Sequence, residues 1–216
     1  MIRTNKLRAY KTIAHSAVCE HDVNKSRFIA NISRTDSEIS AVEYTESIKR
    51  KYRDARHNCS AYIIGADGRQ QKFDDDGEPS GTAGHPMLEV LQKQNIFDVT
   101  VVVTRYFGGI KLGAGGLIRA YSHAVSLVLS QAIIVKRIPF EKIVISFGYE
   151  FVGNIENYSD KNKIIIVNKE YADKVKYTAL FDIIESEKNL AALMDITAGQ
   201  CKINRQCQVY CDIPIL

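Results

Sequence analysis

The sequence predicts an α+β protein of two domains, residues 1–137 and 138–216. Three observations carry this. Strand-like alternation and helix-like spacing follow one another along the chain. The pattern restarts around Val135 to Pro139 and then runs through a complete β-α-β-β-α-β order. The charge divides at the same place: residues 1–137 hold 20 Lys and Arg against 14 Asp and Glu, and residues 138–216 hold 9 against 11.

In the first domain, residues 16–22 and 27–33 read as strands, the second with Phe28, Ala30 and Ile32 on one face. Thr35 and Glu38 have capping-box spacing, and the helix after them carries Ala41, Tyr44, Ile48 and Tyr52. Asn58 to Ile64 is a strand, paired with Gln70 to Phe73 across the turn Ala66-Asp67-Gly68. The run Asp74 to Gly84 is a loop by composition. Pro86 suits the first turn of the next helix, whose buried side is Met87, Val90 and Leu91. Asp98 to Tyr106, rich in valine, is a strand buried on both faces. A long amphipathic helix follows, marked by Leu117, Ile118, Tyr121, Ala124, Val125 and Val128.

In the second domain, Ile143, Ile145 and Phe147 alternate as a strand, and Tyr149, Val152, Ile155 and Tyr158 have helical spacing. Lys163 to Val167 and Lys174 to Phe181 are strands. Leu190, Leu193, Met194 and Thr197 form a helix that Gly199 is placed to end, and Arg205 to Ile213 is the last strand. This order is that of a ferredoxin-like sandwich.

Composition narrows the function classes. No run of about 18 apolar residues is present, so no membrane partner is expected. The N-terminal MIRTNKLRAYK is charged with no apolar h-region after it, so a secretory signal is not expected. The five cysteines form no disulfide framework, which points to a reducing cytoplasm. A first domain at +6 is attractive to polyanions, and a second at −2 is not.

Three segments bear on chemistry. The first is the glycine-rich turn Arg105-Tyr106-Phe107-Gly108-Gly109-Ile110-Lys111-Leu112-Gly113-Ala114-Gly115-Gly116. A strand that runs through glycines into a helix offers free N–H groups and the positive end of a helix dipole, and Lys111 and Arg119 add formal charge. The phosphate or nucleic-acid candidates are therefore Arg105, Tyr106, Gly108, Gly109, Lys111, Gly113, Gly115, Gly116 and Arg119. The competing explanation is a tight connection whose glycines let the helix pack on its sheet. The pattern is neither a Walker A loop nor a Rossmann fingerprint, and no cofactor is expected.

The second segment is Asp74 to Gly84. Its acids do not alternate as calcium ligands do, so pairing with Arg105, Lys111 or Arg56 is favoured and no metal is expected. Ser80 and Thr82 offer helix caps or hydroxyl donors. The third segment is Arg56-His57-Asn58-Cys59. Strand parity turns Cys59 into the core, which favours packing over a Cys/His nucleophile. Arg56, His57, Asp75, Glu78, Ser80 and Thr82 are the further cleft candidates. Cys201, Cys207 and Cys211 lack zinc spacing, and core packing is expected for the last two.

Together, Lys25-Ser26-Arg27-Phe28, His57-Asn58-Cys59-Ser60-Ala61-Tyr62, Asp75 to Gly84 and Arg105 to Gly113 resemble the motifs of the IMPACT family, in its bacterial branch. The resemblance implies a first domain with the fold of the second domain of ribosomal protein S-five. It implies a second domain similar to the last domain of elongation factor G. Eukaryotic members regulate translation by interfering with activation of an initiation-factor kinase. No further N-terminal partner-binding domain is expected before residue 16, so that pathway is not expected here. The resemblance brings no catalytic residues. It favours a non-enzymatic module that binds RNA or the ribosome, or a protein of the translation machinery, and modulates translation. The alternatives are an enzyme acting on a small phosphorylated or peptide substrate near Arg105 and Asp75, and a protein–protein adaptor.

Overall fold

The computed structural model describes residues 7–215. Its elements are mixed α and β, with the helices packed against antiparallel strand pairs. The described residues up to Arg137, joined by those from Asp212 on, form one compact unit, and Ile138–Cys211 form another.

The first unit opens with β1 (Tyr10–Ile13), β2 (Ala17–Val23) and β3 (Ser26–Arg34). The charged start of the chain gave no sign of β1. α1 (Glu38–Lys51) follows, then β4 (His57–Ile64), β5 (Gln70–Asp74), α2 (Gly84–Gln94), β6 (Val99–Tyr106) and α3 (Gly113–Gln131). The sheet order is β2-β3-β6-β4-β5, every pair antiparallel. The valine-rich β6 is thus central, and Val99 to Arg105 are all buried.

One face of this sheet meets α2 and α3. Phe28, Ala30 and Ile32 of β3, Val99, Val101 and Val103 of β6, and Cys59, Ala61 and Ile63 of β4 join Met87, Leu91, Leu117, Tyr121 and Val125 in a single core. A side chain of this kind gains roughly 1.5–3 kcal/mol from full burial, so the period-two pattern fixes which face turns inward. The other face carries α1, where Ala41 sits with Tyr62 and Ile64, and the Tyr62 hydroxyl donates to Glu38 Oε1 at 2.7 Å.

Two expectations need correction here. The cap of α1 is Ser37, whose hydroxyl accepts the Ser40 N–H at 3.2 Å while Ser40 Oγ accepts the Ser37 N–H. Thr35 is instead buried and shares a hydrogen bond with Thr100 Oγ1 at 2.7 Å. Ile118, expected on the buried side of α3, is 40% exposed because it lies one step off the stripe set by Leu117, Tyr121 and Ala124.

β7 (Ile134–Phe147) leaves the first unit and enters the second. Its opening residues pair with β1, and Phe140 to Phe147 pair antiparallel with β9 (Val175–Asp182). A single 3-10 turn (Tyr149–Phe151) leads into α4 (Val152–Lys161). β8 runs Ile165–Tyr171, later than the expected Lys163 to Val167, and its register against β9 shifts between Ile166 and Asn168. α5 (Ser186–Ile196) and β10 (Lys202–Pro214) complete the unit, with strands in the order β10-β7-β9-β8. Ile143, Ile145 and Phe147 pack with Ile155, Tyr177, Phe181, Leu190 and Leu193.

The second unit ends sooner than residue 216. Asp212 pairs with Arg34 Nη1 at 2.5 Å, which holds the end of β10 to the first unit. Cys207 is exposed and Cys211 is half-buried, against the expected packing, because this flanking strand is open along most of its length. No helix among the described residues is long and apolar enough to cross a membrane.

Candidate functional site: a cleft at the end of the central strand

Strand register assembles the site. Arg105, near the end of β6, stands opposite Phe28 of β3 on one side and His57 of β4 on the other. It shares parity with Val99, Val101 and Val103, so its side chain turns toward α3. There its Nη1 donates to Glu78 Oε1 at 2.8 Å, with the two side chains only 7% and 3% exposed. The guanidinium lies 5.6 Å from the Phe28 ring centre and 5.5 Å from that of Phe107. Glu78 Oε1 also accepts the Tyr121 hydroxyl at 2.8 Å. An ion pair this deep offsets its desolvation only with such extra hydrogen bonds.

Behind this pair lies Cys59. Its thiol donates to the Asp75 carbonyl at 3.0 Å, and Sγ is 3.4 Å from the Tyr121 hydroxyl. Burial pushes the thiol well above its ordinary pKa, the Tyr121 hydrogen bond opposes this, and the charges of Glu78, Asp76 and Asp75 add to it. Burial likewise raises the Tyr121 phenol, helped by Cys59 and Glu78. A thiol held protonated is a poor nucleophile. His57 Nδ1 is 2.9 Å from the Asp76 carbonyl, an oxygen that can only accept, so Nδ1 carries the proton. No Cys59–His57 pair is formed.

The acidic loop is consumed by its own backbone. Asp75 Oδ1 accepts the N–H groups of Ala83 and Gly84 at 3.0 and 2.8 Å, and Oδ2 accepts that of Gly81 at 2.7 Å. It thereby caps α2, whose N-cap residue, Ala83, has no side-chain oxygen. Asp76 accepts the Asn58 N–H at 2.7 Å and Lys49 Nζ at 2.9 Å. Thr82 is buried and donates to the Pro79 carbonyl at 2.6 Å, and Ser80 is exposed beside it. Of the three expected loop-to-base pairings only Glu78 with Arg105 forms. Among the described residues, Arg56 and Lys111 are exposed and have no ion pair.

The glycine-rich turn splits into two parts. Gly108 answers to packing: a Cβ there would overlap the Lys25 backbone, and its N–H donates to Ser26 Oγ at 3.2 Å. Tyr106 alternates to the opposite face and donates to Asp54 Oδ1 at 2.9 Å, away from Arg105. Gly109 lies at the open tip next to Ile110. Gly113, at φ +70, starts α3, so Gly113, Gly115 and Gly116 belong to its first turn and not to the loop. Leu112 precedes them and no side chain caps the helix. The first-turn N–H groups are therefore left for a ligand or water.

These pieces surround a cleft of about 430 Å3. Its inner wall is Arg105, Glu78 and Leu117, and its rim is Arg56, His57, Pro79, Phe107, Lys111 and the start of α3. Nine of the fifteen candidates do not line it. Gly116 and Arg119 line a separate hollow with Asn24 and His123, Asp75 turns into the α2 cap, Tyr106 faces the other side of the sheet, and Gly108, Gly109, Gly115, Ser80 and Thr82 lie outside its walls. Two participants were missed. Phe107 is 49% exposed on the rim, and Tyr121 supplies a hydroxyl from what reads as an apolar helix face. A tyrosine in an otherwise aliphatic buried stripe is itself a signal, because its hydroxyl needs a partner.

The cleft residues fall within residues 24–129, the span that matches the Impact N-terminal domain. The chain is 42% identical to IMPACT family member YvyE of Bacillus subtilis (strain 168), across 91% of each protein. It is 35% identical to IMPACT family member YigZ of Escherichia coli (strain K12), over 84% of this chain and 90% of that one. A solved structure titled "Crystal structure of an hypothetical protein" superposes with a TM-score of 0.61 at 32% identity, covering 91% of this chain and 97% of that one.

Proposed function

This chain belongs to the IMPACT family as a YigZ-type member, and from that premise we propose that it binds RNA or the ribosome and modulates translation without catalysing a reaction. The observation that carries the reading is the uncapped start of α3 beside Lys111 and Arg56, which have no ion pair among the described residues. Backbone N–H groups at a helix start, with the dipole and two formal charges behind them, favour a phosphate oxygen over any neutral group. The +6 balance of residues 1–137 draws a polyanion to the same unit.

The fold supports the same reading. The β10-β7-β9-β8 order of the second unit fits a ferredoxin-like sandwich similar to the last domain of elongation factor G. Work on the ribosome implies the cytoplasm. Against a thiol enzyme stand the raised pKa of Cys59 and the engaged Nδ1 of His57.

Co-sedimentation with ribosomes and with total RNA at two salt concentrations tests the proposal. Binding is expected at low salt, falling steeply as salt rises because counterions are released from the phosphates. Lys111→Ala is expected to bind less at both concentrations. Absence of binding by the unaltered protein at low salt would end this reading.

A further inference from the structure

We propose that the cleft takes one unstacked nucleotide of a single-stranded RNA segment, its base against Phe107 and its phosphate at the start of α3. The inference rests on the RNA-binding reading above and specifies the form of RNA that fits.

Four observations converge. The cleft, at about 430 Å3, is within the range of small-ligand sites and suits a single nucleotide, whereas a duplex exceeds it. Phe107 is 49% exposed at its edge, with the Arg105 guanidinium 5.5 Å from the ring centre. An exposed ring beside a cationic groove is what single-strand binders offer to a base, since every base has a π-face. The N–H groups of the first α3 turn lack a side-chain cap, and Lys111 stands next to them. Finally, Arg105 itself lines the cleft with its Nε buried and without a partner, while its Nη1 is held by Glu78. A buried donor left unmatched is costly, and a small turn of the Arg105 side chain toward the cleft would let an oxygen of the entering nucleotide accept from it.

The same geometry selects against a double helix. Bases inside a duplex are stacked on each other and present only their edges, so the Phe107 ring gains no face to cover. A duplex reaches only the rim cations.

The test uses the full chain and two fluorescein-labelled probes, a ten-nucleotide single-stranded RNA and a ten-base-pair RNA duplex, read by anisotropy at low salt. The single strand is expected to bind about tenfold more tightly than the duplex. Phe107→Ala is expected to remove about that factor for the single strand only, and Phe107→Tyr to restore it. Lys111→Ala is expected to weaken both probes. Equal affinity for the two probes, or an unchanged single-strand affinity in Phe107→Ala, overturns the nucleotide proposal and leaves RNA binding standing. Failure of the unaltered protein to bind either probe overturns the nucleotide proposal, and the same failure in co-sedimentation with ribosomes and total RNA overturns the RNA-binding reading as well. Melting temperatures of the variants, expected to match that of the unaltered protein, keep a folding defect from passing as lost binding.

Discussion

The acidic loop and the glycine-rich turn that meet at the cleft are both rich in polar groups, yet they differ in what those groups have left to do. On the acidic side every charge has a structural partner. Asp75 holds three backbone N–H groups, Asp76 holds Asn58 and Lys49, and Glu78 holds Arg105 and Tyr121. On the glycine side the first-turn N–H groups of α3 have no cap, and Lys111 and Arg56 have no ion pair among the described residues. The difference teaches that an acidic run beside a glycine-rich turn need not be a catalytic pairing. Here one side builds the wall and the other is free to receive an anion.

Breaking the wall should cost the most. Arg105→Ala or Glu78→Ala alone leaves an uncompensated buried charge, with an expected loss of about 3–5 kcal/mol in urea denaturation. The double replacement Arg105→Met with Glu78→Leu should cost much less than the two single losses together. Additive losses would mean that the two groups are not coupled. Removing the third member, Tyr121→Phe, leaves Glu78 with one partner fewer and should cost roughly 1–3 kcal/mol by the same assay. Asp75→Ala removes the cap of α2 and should cost about 1–2 kcal/mol. If Asp75→Ala were neutral, the loop would not be serving the helix.

Chemistry separates the two sides as well. Burial holds Cys59 protonated, so iodoacetamide at pH 8 should label the exposed Cys207 of the native protein while Cys59 reacts only after denaturation. Peptide mass spectrometry over a time course reads both sites, and rapid labelling of Cys59 would contradict the sealed wall. The smallest stability effect is expected on the open side. Lys111→Ala should change stability by no more than about 0.5 kcal/mol, because its exposed side chain has no ion pair among the described residues.

Much of this was legible before the structure. Alternation placed Cys59 on the inward face, since parity in a half-buried strand leaves one choice. The valine run identified the central strand. Pairing of the acidic loop with a cation was also expected, but its detail was not. Which acid meets Arg105 depends on how the loop is folded over α2, and the capping role of Asp75 spans 8 to 9 residues, beyond any local capping pattern. Thr35 misled because its spacing to Glu38 satisfies the capping box, whereas its buried contact with Thr100 comes from distant chain. Phe107 was hidden among glycines, and its exposure is a tertiary fact. The chain's return at Asp212 is likewise set by a pair with Arg34 far away in sequence.

The central claim is that the open side of the cleft is a phosphate site. The most direct measurement is the salt dependence of RNA affinity for the unaltered protein and for Lys111→Ala. If Lys111 meets a phosphate, affinity falls in the variant and the slope of log K against log salt drops by about one. An unchanged affinity with an unchanged slope would contradict the claim and return the glycine-rich turn to a packing device.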